Sequence, residues 1–223
     1  MPRLNSKSLI PVPNHALTGI GGQNLVLLPL MALRLNDPLG WEVGLASPKA
    51  FILRADSLME VAVKGRAYRT KWVFPEKIKQ KSDDNPGLIA DPYTLAVASL
   101  MPGVWRTDLP LGDPLVSQLR GIVAVGGARY ALAPVEIHFI PYVPPPLPVP
   151  KTKADSAAVA AAPVPPPAPA GPPLGMAVLR LMLLDPAATQ VVWAGDIISD
   201  TSRTAEGTLP SLTARMGDIL GAP

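Results

Sequence analysis

Thirteen of the chain's 29 prolines fall between Pro141 and Pro173, in the order PYVPPPLPVP, KTKADSAAVAAA, PVPPPAPAGPP. Each proline lacks a backbone donor and holds φ near −65°, so such a run builds neither a helix nor a central strand. It reads as extended polyproline, and the sequence on both sides reads as folded protein. Whether the tract joins two domains or projects from one decides most of the rest. Only about 50 residues follow it, enough for two strands and one helix, which is marginal alone without a disulfide or a metal. The strand before the tract and the strand after it each need a neighbour. The expected architecture is therefore α/β (α+β): a single mixed sheet packed with helices, with a long Pro/Ala-rich insertion between two strands. Residues 1–23 read as an irregular N-terminal arm, and 24–220 as one domain interrupted at 141–175.

Periodicity and breakers place the elements. Asn24–Leu35 is nearly all apolar, as for a strand covered on both faces. Asp56 or Ser57 is placed to cap a helix running to about Arg66, with Leu58, Val61 and Ala62 on its buried face. Lys71–Phe74 reads as a short strand that Pro75 ends. Asp91-Pro92 and Asp113-Pro114 each open a helix, and Gly126-Gly127 closes the second with a left-handed cap. Arg129–Ile140 alternates, with Ala133, Val135, Ile137 and Phe139 on one face and Leu132, Glu136 and His138 on the other. Pro134 within it signals an edge strand or an interrupted ladder. Met176–Leu184 and Val191–Ile198 read as a hairpin about Asp185–Thr189. A last helix starts near Pro210, with Leu209, Leu212, Met216 and Ile219 on one side.

The segment SQLRGIVAVGGARYALAPVEIHF, followed by AVLRLMLLDPAATQVVWAGDI, has a helix ending in glycine, a strand, an apolar strand ending in Asp, a turn and VVW. With the opening QNLVLLPL it resembles the α/β domain shared by the TolB amino-terminal domain, the outer-membrane lipoprotein activators of penicillin-binding proteins and the curli-secretion lipoprotein. The resemblance covers roughly residues 23–35, 115–140 and 176–220. It implies a non-catalytic envelope adaptor, regulator or assembly subunit. It transfers no functional residue, because the shared positions are core and turn residues. The absence of a leader and of a lipobox cysteine, and the long insertion, run against an exported lipoprotein.

Chemistry-bearing motifs are sparse. There is no cysteine, which excludes disulfides, thiolate metal sites and a thiol nucleophile. Glu136 and His138, two apart on one strand, could form an acid/base or metal half-site, but a partly exposed polar face is the plainer reading. No partner is evident for Asp196 or Asp200. Gly19-x-Gly21-Gly22 precedes a strand instead of joining strand to helix, so it lacks the phosphate-cradling arrangement. No catalytic residue, cofactor, metal or small-molecule substrate is expected.

Net charge is +3, unevenly placed. Lys64, Arg66, Arg69, Lys71, Lys77, Lys79 and Lys81 face a single acid, Glu76, with Tyr68, Trp72 and Phe74 between them. Such a run suits anionic lipid headgroups, or is simply a solvated basic face beside a buried strand. Nucleic acid is not an expected partner. No apolar run reaches the ~18–20 residues of a membrane span. The expected function is a membrane-extrinsic scaffold or accessory subunit. It would grip a multi-subunit complex (respiratory, photosynthetic or secretory) through its N-terminal arm and through Pro144, Pro145, Pro146, Pro148, Pro165, Pro166 and Pro167. The alternative is an envelope-associated regulator of a partner enzyme; an enzyme with a site near Glu136 and His138 is a more distant third. Localisation defaults to the cytoplasmic face of a membrane, or to the periplasm if a leader has been removed.

Overall fold

A computed structural model describes residues 22–34, 39–41, 44–45, 47–66, 70–100, 109–143 and 173–221. The long opening strand expected over Asn24–Leu35 is broken. β1 (Asn24–Leu27) and β2 (Ala32–Arg34) lie in line, both parallel to β4 (Tyr130–Pro141). The register runs from Leu27↔Leu132 to Ala32↔Glu136, five steps against four. Pro29 sits in the break, where it can offer no ladder hydrogen bond. The main chain spans the gap with Leu28 N donating to Leu132 O and Met31 N to Pro134 O.

The sheet runs β3-β1-β4-β5-β6, with β2 also beside β4. β3 (Lys71–Val73) is parallel to β1, whereas β5 (Gly175–Asp185) is antiparallel to β4 and to β6 (Gln190–Ile198). It is thus the expected mixed sheet, and the proline-rich segment lies between two adjacent strands. The hairpin about Asp185–Thr189 forms as expected, with Thr189 at φ 55°.

Several helices differ from expectation. α1 spans Pro48–Arg66, so Asp56 lies mid-helix and is not its cap; Ser47 Oγ accepts from Ala50 N instead. Its buried stripe is Phe51, Ala55, Met59 and Val63, while Val61 is exposed. Pro75 both stops β3 and opens α2 (Pro75–Asp84), its fixed φ suiting the first helical turn. Asp91-Pro92 starts only a 3₁₀ turn, Pro92–Thr94, with a second at Val97–Leu100. α3 (Leu115–Gly126) follows Asp113-Pro114 and ends on Gly127 at φ 59°, as the glycine pair predicts. α4 (Ala205–Gly221) begins before Pro210 and carries it inside.

Two apolar layers sandwich the sheet. α1 and α4 cover Leu25, Leu27, Ile137, Phe139, Leu179 and Leu183. α2 and α3 cover Val26, Leu28, Ala131, Ala133, Val135 and Met182. The single alternation expected along β4 is therefore wrong. A bulge between Pro134 and Glu136 adds one residue, and one residue exchanges the two faces. Leu132 consequently shares a layer with Ile137 and Phe139, opposite Ala133 and Val135. The interrupted ladder foreseen at Pro134 is real, in a strand with neighbours on both sides.

Candidate functional site

Pro144, Pro145, Pro146, Pro148, Pro165, Pro166 and Pro167 lie outside the described residues, as does Arg69. The sheet end from which their segment leaves and to which it returns is well defined. The β4–β5 ladder continues to Pro141↔Gly175, and Tyr142 N donates to Leu174 O at 3.0 Å. Gly175 also exchanges two hydrogen bonds with Ser202, at 2.8 and 2.9 Å. A Cβ at Gly175 would come within 2.3 Å of the Leu39 side chain and 2.9 Å of the Trp41 ring, so a larger residue here would displace both. Val143 is 79% exposed and Leu174 41%, which leaves an apolar rim at the base of the segment.

Glu136 and His138 are brought together, but not on a partly exposed face. Glu136 is only 2% exposed, because strands and apolar side chains surround that part of β4. Arg34 Nη2 lies 3.2 Å from its Oε2; Arg180 Nη1 lies 3.8 Å and His138 Nδ1 3.3 Å from its Oε1. Arg180 Nε is 3.3 Å from Asp196 Oδ1, which supplies the partner that Asp196 lacked in the sequence. Asp200 likewise pairs with Arg215. The row thus crosses β2, β4, β5 and β6. Burial, and then the charges of Arg180 and Arg34, push His138 down to about 4, so its imidazole is neutral at neutral pH. Burial pushes Asp196 up, against the pull of Arg180. Two guanidiniums beside two carboxylates balance in charge. Among the described residues no cluster of three or more His, Asp or Glu is arranged to hold a metal ion.

The basic run is dispersed over three elements. Lys64, at the end of α1, pairs with Glu60 and stands 4.7 Å above the Phe74 ring. Arg66 reaches Asp218 at 2.8 Å and the Ala214 carbonyl of α4. Lys79 pairs with Asp83 and Asp91, and Lys81 Nζ donates to Val125 O at 2.8 Å. Lys71 and Lys77 are exposed. Partners brought in by the fold therefore occupy four of the bases.

Sequence reasoning missed the role of the half-buried Asp56. Asp56 Oδ1 accepts from Leu30 N at 2.7 Å, across the break between β1 and β2. The available signal was an acid set directly against the apolar stripe Phe51–Ala55–Met59.

No family model matches the chain, and no curated protein matches it. Among solved structures, the LpoB C-terminal domain from Salmonella enterica matches at TM-score 0.38 and 11% identity, over 80% of this chain and 82% of that one. A PelC dodecamer from Paraburkholderia phytofirmans matches at TM-score 0.33 and 12% identity, over 91% and 90%. The LpoB C-terminal domain from Escherichia coli matches at 0.33 and 12%, over 86% and 90%. These fall within the group that the sequence cadence resembles.

Proposed function

We propose that this chain is a non-catalytic accessory protein of the cell envelope that binds a protein partner and regulates it. The observation that carries the reading is the base of the proline-rich segment. Both of its ends are fixed to one sheet, by Pro141↔Gly175 on one side and by the Gly175–Ser202 pair on the other. Segments longer than about 12–15 residues between adjacent strands are uncommon and are either functional or linkers. A linker between two strands of one sheet has no second domain to join, and a proline-rich segment loses little entropy when it docks. Such a segment rooted in a rigid platform is suited to holding another protein. The resemblance of the sequence to envelope activators supports a regulator ahead of a subunit gripping a respiratory or photosynthetic complex. This reading sets the chain in the periplasm, not on the cytoplasmic face. The exposed Lys71 and Lys77 remain available to anionic headgroups.

The test replaces residues 144–172 by a four-residue Gly/Ser turn and compares capture of partners from crosslinked envelope fractions. Loss of a partner held by the full chain is the expected result; equal capture at equal salt and detergent sinks the idea. His138→Ala is expected to leave capture and regulation intact. If it abolishes function while the fold is retained, the site is an enzyme's, centred on Glu136 and His138.

A further inference from the structure

The break between β1 and β2 is held from outside the sheet. Leu28 and Met31 bond back to β4, but the N–H of Leu30 donates to Asp56 on α1, at 2.7 Å. Leu30 itself is buried. The other oxygen of Asp56, Oδ2, is buried and has no hydrogen-bond partner. Asp56 lies on a crevice of about 110 Å³ walled by Leu27, Leu28, Met59 and Pro75, a volume that can admit water. The crevice opens at the carboxyl ends of the parallel strands β1 and β3. From there α1 turns to one face of the sheet and α2 to the other, which makes it a topological switch point.

The charged and titratable groups around Asp56 come from three elements. Glu60, on the same helix, is paired with Lys64. Glu76 stands in the first turn of α2, and Tyr93 Oη, from the first 3₁₀ turn, donates to its Oε1 at 3.2 Å. Burial pushes the Asp56 carboxyl up to about 7, with the Leu30 N–H opposing and the Glu76 charge adding. Tyr93 is pushed up to about 12, first by burial and then by Glu76 and Asp56, so it stays a donor.

We propose that Asp56 is a proton-operated latch on the β1–β2 interruption. As the neutral acid it lets α1, Leu30 and the crevice walls close on one another. As the carboxylate it is unpaired at Oδ2 and repelled by Glu76, and it is hydrated more fully when residues 28–34 loosen from α1 and the crevice widens. The effect passes along β2 to Arg34, which lies 3.2 Å from Glu136. Loosening β2 therefore uncovers the buried end of the charged row on β4. The latch is independent of the regulatory reading, since it concerns how this chain holds its own sheet.

Hydrogen exchange of the full chain, corrected for the intrinsic pH dependence, reads the latch directly at the amides of Leu30 to Arg34. Opening that releases one proton shifts its equilibrium about tenfold per pH unit between the open and closed pKa values. Protection should therefore fall by about that factor per unit from pH 5 to 7 and level off above, while Asp56→Asn shows no such slope. Parallel profiles in the two proteins overturn the proposal. If the variant does not fold, a carboxyl carbon-13 titration of the unaltered chain decides: a midpoint for Asp56 near 7 sustains the latch, and one near 4 removes it.

Discussion

Asp185 is buried to 2% exposure at the end of β5, and all its interactions are local to the hairpin or to the strand beside it. Oδ1 accepts from Ala187 N and Ala188 N, each at 3.0 Å, and Oδ2 takes Arg129 at 3.0 and 3.2 Å. Asp185→Ala leaves two turn donors unpaired and should cost about 2 kcal/mol in urea unfolding. Two other residues make stability depend on pH with opposite signs. His138 has a lowered pKa, so the unfolded chain binds more protons between about 4 and 6.5, and its contribution is lost as pH falls through that window. Asp56 has a raised pKa, so the folded chain binds more protons between about 4 and 7, and its contribution is lost as pH rises. Relative to the unaltered chain, His138→Gln should gain stability at pH 4.5 and Asp56→Asn at pH 8. Unfolding midpoints at the two pH values check both, and a gain at the same pH in both variants contradicts the assignment. Neither shift could be read from the sequence. Both depend on burial by segments distant in the chain.

At the scale of elements, α1 and α4 pack through small residues. A Cβ on Gly217 would lie 3.0 Å from Ala62 O, and one on Gly221 would lie 2.4 Å from Arg66 O. Gly217→Leu must force the helices apart and should cost about 1–3 kcal/mol, visible as a lower unfolding midpoint with an unchanged m-value. The four-residue spacing of these glycines is in the sequence, but the facing carbonyls belong to a helix about 150 positions earlier. Elements set by near neighbours were accessible without the fold. α3 has a breaker before it and a glycine pair behind it, and the β5–β6 hairpin has a short polar turn between apolar runs. Elements whose limits depend on packing were not. The β4 bulge turns Ile137 to the opposite layer from Ala133, although the alternation of residue types shows no break there. α2 is mostly polar, and only Pro75, Ile78 and Ser82, buried against the rest, reveal why it is a helix.

At the scale of the whole molecule, the segment from 144 to 172 closes a loop whose ends the sheet already holds together. Shortening it from about thirty residues to four removes about three doublings of loop length, worth about 0.6 kcal/mol each. The turn-replaced chain should therefore be about 2 kcal/mol more stable in urea, even as it loses its partner. A chain destabilised by that change would show that the segment packs on its own body, and the proposed function would have to be redrawn. The sequence by itself determined the mixed α/β sheet, the place of the proline-rich insertion between two strands, and the elements bounded by proline, glycine and aspartate. Those follow from φ restriction, missing donors and short-range periodicity, which act within a few residues. The tertiary structure alone decided that Glu136 is buried between two arginines, that Arg66, Lys79 and Lys81 reach acids and carbonyls of other elements, and that Asp56 holds Leu30. Each of these is a contact between separate elements, and its partners are chosen by packing, not by position along the chain.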